Sequence, residues 1–144
     1  MEEQYASLLL CNQLCFPLYA AAKEIAARYK PVLDDIGLTY TQYLVMLVVW
    51  EHRTISVREI GRQLYLDSGT LTPVLKKLEQ KGMIIRKRDS EDERVLNVSL
   101  TEDGTALRER ALRVPERMQC TVNLTQEERD RLCGLLQKLL HKYA

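Results

Sequence analysis

Apolar residues recur at helical spacing along most of the chain, and this pattern predicts a mainly helical protein. The most informative stretch runs from Ser56 to Thr101. Two helical segments are separated there by the short turn Leu66-Asp67, and two segments with a period of two follow, as half-buried strands require. Helix, turn, helix and hairpin in this order predict a winged helix-turn-helix, within a mainly α fold that carries a small β-hairpin wing (α+β).

Start and stop signals support the two helices of this unit. Ser56 and Glu59 have the spacing of a capping box, in which the Ser56 hydroxyl accepts from the Glu59 amide and the Glu59 carboxylate accepts from the Ser56 amide. The second helix is expected to end at about Lys81, where the following glycine can take the left-handed conformation. Pro73 leaves its start open within residues 67–72, because proline fits best in the first helical turn.

The second helix combines an apolar stripe with a polar face. The stripe, which we expect to pack on the core, consists of Leu71, Val74, Leu75 and Leu78. The outward residues are small, hydrogen-bonding or basic, as contacts in a DNA groove require, and they are Ser68, Gly69, Thr70, Thr72, Lys76 and Lys77. Residues 68–88 carry a net charge of +5, whereas the whole chain carries +1. Charge concentrated in this way predicts contact with phosphates, although a solvated helix face and an ordinary charged hairpin remain the alternative.

The hairpin is predicted from two short strands, Met83 to Lys87 and Val95 to Leu100. In the second strand, Leu96, Val98 and Leu100 alternate with the other side chains, as expected for a strand with one buried face. The connection between the strands, residues 88–94, is almost entirely charged.

A helical stretch with an apolar stripe covers residues 7–29. Pro17 leaves two possibilities for it: the main helix begins near Cys15, or it kinks there. A start at Cys15 matters chemically, because the free amides and the dipole of a helix N-terminus stabilise a thiolate, and Tyr19, one turn on, could donate a hydrogen bond to the sulfur. The local sequence also allows a small, buried, inert thiol, and by itself it favours that interpretation.

Three further helices are predicted over residues 40–52, 102–113 and 125–142, each opened by a threonine. The threonines are Thr39, Thr101 and Thr125, of which the first and the last form capping boxes with Gln42 and Glu128. Pro31 is expected to end or bend the first helix, Pro115 to interrupt the helix after the wing, and residues 118–123 to be irregular. The helices at about 7–35 and 102–144 carry more apolar surface than the winged unit at 53–101 needs, which predicts a homodimer.

Composition narrows the classes of function. A chain of 144 residues suits one domain, 1–144. Its apolar runs are too short to cross a bilayer and no secretion signal is evident, so we expect a cytoplasmic protein with no membrane partner. Its four cysteines are too few for a secreted disulfide scaffold. Cys11 and Cys15 have the spacing of helical metal ligands, but no second close pair and no nucleotide-binding or catalytic motif follows, which predicts neither a metal nor a cofactor.

Three segments carry a resemblance to a known family: NQLCFPLY at 12–19, LTYTQYLVMLVVWE at 38–51 and LYLDSGTLTPVLKKLEQKGMIIRKRDSEDERVLNVSLTEDG at 64–104. The order of helices around the third segment resembles the MarR family of bacterial transcriptional regulators. The first two segments look like the organic hydroperoxide resistance regulators (OhrR) within it, and the resemblance covers nearly the whole chain. It implies a repressor, not an enzyme, whose reduced homodimer binds double-stranded DNA at a palindromic operator and which organic hydroperoxide releases.

The resemblance also implies roles for the thiols. The cysteine that matches Cys15 senses the peroxide, and tyrosines that match Tyr29 and Tyr40 hydrogen-bond it across the dimer. Cys120 lies where some members carry a second cysteine that closes a disulfide between subunits, while other members use one cysteine and a small external thiol. The expected redox residues are therefore Cys15 and Cys120, supported by Tyr19, Tyr29 and Tyr40; Cys11 and Cys133 match no such role.

In such a protein we expect the second helix of the winged unit to enter the major groove through Ser68, Gly69, Thr70, Thr72 and Lys76. Arg94, held by Asp92, is expected to insert into the minor groove. Phosphate contacts are expected from Lys77, Arg86 and Arg88.

Three other functions stay open at this point. The chain could be a thiol peroxidase, which turnover with excess dithiol would reveal. It could be a MarR-type repressor that a small phenolic ligand releases while Cys15 stays inert, in which case a Cys15→Ser protein would still respond to the ligand. It could also be a helical dimerisation module, which a mobility shift on random and palindromic DNA would test.

Overall fold

The computed structural model describes residues 3–141. Two short 3-10 segments, Glu3–Leu8 and Leu10–Asn12, come first. The helices that follow are α1 (Cys15–Asp34), α2 (Tyr40–His52), α3 (Val57–Leu64), α4 (Ser68–Gln80), α5 (Glu102–Ala111), α6 (Arg113–Gln119) and α7 (Gln126–His141). The strands are β1 (Thr54–Ser56), β2 (Ile84–Arg88) and β3 (Leu96–Leu100). The expected mainly helical fold with a small wing is confirmed.

The core is built around α2, which is apolar on nearly all sides. Val45, Met46 and Val49 of this helix are fully buried. Helices α3 and α4 and strand β3 pack against it and contribute the buried side chains Ile60, Leu71, Leu75, Leu78 and Val98. The indole of Trp50 donates to the carbonyl oxygen of Gly104 at 2.8 Å, which ties α2 to α5. The winged unit is therefore held by close packing, with Val74 of the predicted stripe half-buried at its edge.

The wing is a three-stranded antiparallel sheet in the order β1-β3-β2. Arg88 pairs with Leu96 at the tip, and Ile55 of β1 pairs with Val98 on the other side of the central strand. The hairpin strands begin one residue later than predicted. Strand β1 was not predicted, because three residues are too few to show an alternating pattern.

The expected caps of α2, α5 and α7 are confirmed by hydrogen bonds from the amides of Gln42, Gly104 and Glu128 to Thr39, Thr101 and Thr125. The box at α3 is only half formed. The Ser56 hydroxyl accepts from the Glu59 amide, but the Glu59 carboxylate accepts from Arg62 and Gln63 on its own helix. The predicted bond back to the Ser56 amide is therefore wrong, since two charged and polar donors one turn on compete for the same carboxylate.

The prolines do not all act as predicted. Pro17 is the third residue of α1, which confirms that the helix begins at its cysteine. Pro31 lies inside α1 and does not end it. Pro115 lies inside α6, and the break comes earlier, at Leu112. The segment predicted to be irregular accordingly begins only at Cys120.

Helices α1 and α7 bury little of their apolar surface in one chain. Only Val32 and Leu33 of α1 are buried, and α7 has no buried residue. The exposed apolar side chains on these two helices and just before α1 include Leu14, Phe16, Tyr19, Leu132, Leu135, Leu139 and Leu140. A patch of this kind marks a surface that another surface covers. The predicted end of α7 near residue 142 lies outside the described residues. Across residues 3–141, every helix falls short of the length and apolarity that a bilayer crossing needs.

Gly104 and Gly134 make a matched pair for testing the packing of α5 against the wing. A Cβ at Gly104 would lie 2.0 Å from the carbonyl oxygen of Met83, whereas a Cβ at Gly134 meets nothing within 4 Å. We expect Gly104→Ala to lower the free energy of unfolding by about 2–3 kcal/mol through overpacking. Gly134→Ala should raise the free energy of unfolding by about 0.5–1 kcal/mol, because alanine has a higher helix propensity than glycine at an exposed helical position. Urea unfolding at one protomer concentration measures both, and equal effects would contradict this account of the packing.

Candidate functional site

The start of α4 is fixed by a carboxylate. Asp67 is the N-cap, and its side chain accepts from the Thr70 amide at 2.7 Å. This bond lowers the pKa of Asp67, so the cap stays charged at neutral pH. The turn before it is tight, since a Cβ at Gly61 would lie 2.7 Å from the Leu66 carbonyl oxygen. Pro73 lies in the second turn of α4 rather than the first.

The polar face of α4 points into solvent. Leu71, Leu75 and Leu78 are buried on the opposite side of the helix. The exposed residues are Ser68, Gly69, Thr70, Lys76 and Lys77, and Thr72 is half-buried. A helix held on its apolar side, with small and basic residues outward, can enter a major groove.

Two of the basic residues counted in the sequence are held within the chain. Lys81 donates through Nζ to the carbonyl oxygen of Gly37 and to Oε1 of Gln42. Arg86 donates through Nε and Nη2 to one oxygen of Glu79, Oε2, at 3.0 and 2.8 Å, and its side chain is only 19% exposed. Arg86 thus fastens the wing to α4, and its predicted phosphate contact is not supported by this geometry. The cationic surface that remains exposed here includes Lys76, Lys77, Lys87 and Arg88.

The wing tip is organised by Asp89. Its Oδ1 accepts from the amides of Glu91 and Asp92 at 2.8 and 3.2 Å, and its Oδ2 accepts from the Asn97 side chain at 2.9 Å. These bonds lower the pKa of Asp89, the Glu91 amide contributing most. Neither Asp89 nor Asn97 was singled out from the sequence. An aspartate that begins a turn by bonding amides two and three residues on is the signal that could have found them.

Arg94 stands at the tip, held by one carboxylate. Its Nε and Nη2 donate to the two oxygens of Asp92 at 3.0 and 3.2 Å, and its side chain is 90% exposed. The arginine lowers the pKa of Asp92, so this partner stays charged. An extended, oriented guanidinium on a narrow tip has the shape needed to reach between two phosphate backbones.

The Cys15 thiol lies exposed in the first turn of α1. The interpretation of Cys15 as a buried hydrophobe is therefore wrong for the single chain. Tyr19 is one turn further on and is 66% exposed, but no hydrogen bond joins its hydroxyl to the sulfur in the described chain. Tyr29 lies 14 residues after Cys15 on the same helix, which places it about 20 Å away along the axis.

Tyr29 and Tyr40 form a packed pair between α1 and α2. Their ring centroids are 4.6 Å apart, and the ring of Tyr43, one turn on along α2, lies 5.9 Å from that of Tyr29. Burial raises the pKa of Tyr29 and of Tyr40. Both hydroxyls therefore remain protonated at neutral pH and can donate hydrogen bonds. The pair cannot reach the Cys15 of its own chain.

Cys120 is exposed at the C-terminal end of α6. Arg28 of α1 donates to the Thr121 carbonyl oxygen at 2.7 Å, so Cys120 lies near the level of Arg28 on that helix. Cys15 is 13 residues earlier, about 20 Å along the axis. A disulfide requires Cα atoms within about 7 Å, so these two thiols cannot pair within one chain in this conformation.

Other groups do not add a second chemical site. No three histidine, cysteine or acidic side chains cluster as metal ligands anywhere in residues 3–141. Cys11 lies in the second 3-10 segment and Cys133 on the exposed side of α7. The surface formed by α4 and the wing therefore defines the class: a winged helix-turn-helix DNA-binding protein with exposed thiols near its outer helices.

Comparison with known proteins narrows this class. The family model described as transcriptional regulator SarA/Rot matches residues 27–110. An organic hydroperoxide resistance transcriptional regulator of Bacillus subtilis (strain 168) is 55% identical over 115 residues, which is 80% of this chain and 78% of that protein. The structure of reduced AbfR bound to DNA matches with a TM-score of 0.81 and 35% identity over 100% of both chains. The disulfide form of AbfR, a protein of Staphylococcus epidermidis, matches with a TM-score of 0.64 and 37% sequence identity, over 97% of this chain and 96% of that one.

The chain therefore belongs to the organic hydroperoxide resistance regulators of the MarR type, and its residues 27–110 form the SarA/Rot regulator domain. The resemblance inferred from the residues is confirmed.

The wing tip gives a pH prediction. Because the pKa of Asp89 is lowered, its bonds to the Glu91 and Asp92 amides should be fully present above the ordinary aspartate pKa, about 3.9. They should be lost only as the pH falls through the lowered value of the folded protein. The amide resonances of residues 91 and 92, followed by NMR, should stay unchanged from pH 7 to about pH 4, near the ordinary aspartate pKa, and move below it. In Asp89→Asn these two resonances should differ already at pH 7, and a transition near pH 5 to 6 in the unaltered protein would contradict this assignment.

Proposed function

We propose that this chain is a peroxide-sensing transcriptional repressor. The reduced homodimer binds a palindromic operator in double-stranded DNA, and oxidation of Cys15 by an organic hydroperoxide releases it. The observation that carries this proposal is that the parts of the thiol site lie far apart within one chain. An exposed thiol begins α1, while Tyr29, with Tyr40 packed on it, and the turn that carries Cys120 lie near the level of residues 28 and 29, about 20 Å further along the helix axis. Only a second copy can bring them together.

The symmetry of a dimer provides that second copy. In a two-fold interface, residue i meets residue j of the partner and j meets i. If the two α1 helices run antiparallel and cross near Ala22, midway between Cys15 and Tyr29, each thiol faces Tyr29 of the partner subunit. Ala20, Ala21 and Ala22 leave room for close approach of the helices at this point. The exposed apolar faces of α1 and α7 would be covered in the same step. We assign the dimer contacts to the helices within about 7–35 and 102–144.

The winged unit, about residues 53–101, carries the DNA contacts in this proposal. The exposed face of α4 enters the major groove with Ser68, Gly69, Thr70, Thr72 and Lys76. Arg94 enters the minor groove, and Lys77 and Arg88 contact phosphates. Two copies of α4 then read half-sites one helical turn apart, about 34 Å. Because the DNA lies in the bacterial cytoplasm, we place the protein there.

The chemistry needs only thiols and peroxide. The Cys15 thiolate attacks the distal oxygen of the hydroperoxide, giving a sulfenic acid and an alcohol. The Cys120 thiol of the partner subunit then attacks that sulfur, forming a disulfide and releasing water. Each Cys15 consumes one equivalent, so the reaction switches the protein and does not turn over, and we propose that the protein is not an enzyme. The protonated tyrosines donate hydrogen bonds that favour the thiolate before attack.

A change of conformation between the two redox states fits the comparison with AbfR. This chain superposes better on the reduced, DNA-bound form of that protein than on its disulfide form, at nearly equal sequence identity. We infer that the present conformation corresponds to the reduced, DNA-binding state.

The orientation of Arg94 by Asp92 predicts an unusual charge effect. Removing a negative charge beside DNA normally strengthens binding. If Asp92 holds Arg94 in place, Asp92→Asn should weaken operator binding by about tenfold, because an oriented charged contact is worth about 1–3 kcal/mol. Arg94→Ala should weaken it at least as much and lower the salt slope by about 1. Mobility shifts at several salt concentrations measure both effects.

Arg131→Ala is the matched control, because Arg131 is an exposed arginine on α7, outside the winged unit at residues 53–101. It should leave the affinity and the salt slope within twofold of the unaltered protein. Stronger binding by Asp92→Asn would overturn the positioning role of Asp92, and an unchanged salt slope in Arg94→Ala would overturn the role of the wing.

Two cysteine variants test the redox step. After treatment with cumene hydroperoxide, the unaltered protein should lose operator binding and run as a covalent dimer on non-reducing electrophoresis. The covalent dimer should be absent in Cys15→Ser and in Cys120→Ser, and Cys15→Ser should stay bound to the operator. Dithiothreitol should restore binding by the unaltered protein.

DNA binding by the same two variants separates the other outcomes. Release of DNA by hydroperoxide in Cys15→Ser would contradict the sensing role of Cys15. Full, dithiothreitol-reversible release in Cys120→Ser, helped by a small thiol, would contradict the second step and leave a one-cysteine sensor.

A further inference from the structure

The turn that carries Cys120 is held by two arginines. Arg28 of α1 donates to the Thr121 carbonyl oxygen at 2.7 Å. Arg129 of α7 donates through Nη2 to the carbonyl oxygens of Gln119 and Val122, each at 3.2 Å. Three carbonyls within four residues are thus bound by guanidinium groups from two different helices. We refer to Arg28 and Arg129 as the arginine clamp.

This turn needs an external support. Helix α6 has only seven residues, which is too short to be stable by its own hydrogen bonds. Its last carbonyls, like those at the end of any helix, have no partner inside the helix. Of the three clamped carbonyls, that of Gln119 ends α6, and those of Thr121 and Val122 belong to the turn that follows. Without the clamp, the amide and hydroxyl of Thr121 would still bind the Met118 carbonyl oxygen, but the rest of the turn would lose its ties to α1 and α7, and Cys120 would sample more positions.

Only the Arg129 half of the clamp is built into the packing. Arg129 is half-buried, and its Nε is buried without a hydrogen-bond partner. Arg28 is partly exposed and also faces Glu24, one turn earlier on α1, at 3.6 Å. The Cys120 sulfur itself stays exposed and donates only a long bond, 3.7 Å, to the Glu116 carbonyl oxygen. The backbone around Cys120 is therefore fixed while its thiol remains accessible.

We propose that Arg28 and Arg129 are positioning residues for Cys120 in the disulfide step, a proposal that rests on the redox mechanism above. Condensation with the sulfenic acid competes with a second attack by hydroperoxide, which converts Cys15 to a sulfinic acid and releases an alcohol. The first path depends on how often the Cys120 thiol of the partner subunit is in reach, and the second on peroxide concentration. A fixed turn raises the effective concentration of the thiol. The clamp therefore directs oxidation toward the reversible product.

The test measures this competition by mass spectrometry of the full-length dimer. Protein is treated with increasing cumene hydroperoxide, and the concentration at which half of Cys15 is sulfinic acid rather than disulfide is recorded. For Arg129→Gln, which loses two charge-assisted bonds, we expect this concentration to fall about tenfold. For Arg28→Gln, which loses one, we expect a fall of about threefold. The rate of the first oxidation of Cys15, trapped with dimedone, should stay unchanged in both.

Two controls keep the result specific. Arg131→Gln removes a guanidinium from the same helix two residues on, and should leave the concentration unchanged. Arg129→Lys keeps the charge and can reach one carbonyl. Its half-point concentration of hydroperoxide should therefore lie between those of Arg129→Gln and the unaltered protein. Circular dichroism checks that each variant has the same helicity as the unaltered protein. If Arg129→Gln does not fold, Arg28→Gln alone tests the positioning role of the clamp.

The outcomes separate the two proposals. If the unaltered protein forms the disulfide and both clamp variants overoxidise at the same hydroperoxide concentration as it does, the clamp has no positioning role. If the unaltered protein forms no disulfide between residues 15 and 120, the second step of the proposed function fails and the clamp proposal fails with it.

Discussion

The structure depends on one constraint: a single chain cannot cover the apolar faces of α1 and α7. The winged unit closes its own core around α2, whereas the outer helices leave side chains such as Leu14 and Leu135 in solvent, 71% and 63% exposed. Covering them requires a second surface of matching shape, and a second copy supplies one by symmetry. In the dimer proposed above, the same symmetry spaces two reading helices for a palindrome and brings a thiol to the tyrosines of the other copy. DNA recognition and peroxide sensing would then share one interface.

Within the chain, charged contacts hold the functional side chains in position. Asp67 fixes the start of α4, Asp89 shapes the wing tip, and Asp92 orients Arg94. Each carboxylate has a lowered pKa because it accepts hydrogen bonds, so this arrangement persists at neutral pH. The acidic residues in a basic surface therefore reduce net charge but keep the cationic and polar groups oriented toward DNA.

The sequence predicted most of the fold because its signals are local. Thr39, Thr101 and Thr125 mark helix starts, and the stripe of α4 reports its buried side directly. The failures come from contacts that the local patterns did not show. Glu59 bonds Arg62, one turn on along its own helix, instead of the Ser56 amide, and β1 forms only because β3 lies beside it. The pairing of Arg86 with Glu79, and the two arginines around Cys120, join elements that no local pattern connects. The thiol site could be inferred only through family resemblance, because within one chain its proposed parts lie about 20 Å apart.

We infer that the sensing site is shared between two copies, and complementation in mixed dimers of two cysteine variants can show this. Cys15→Ser and Cys120→Ser proteins, both with Cys11 and Cys133 replaced by serine, are unfolded together, refolded and treated with cumene hydroperoxide. In a mixed dimer one intact pair remains, Cys15 from one chain and Cys120 from the other. Our account predicts a covalent heterodimer in about half of the refolded dimers at random association, and none in either variant alone. No covalent dimer in the mixture, with an intrachain disulfide in the parent that keeps both cysteines, would contradict it.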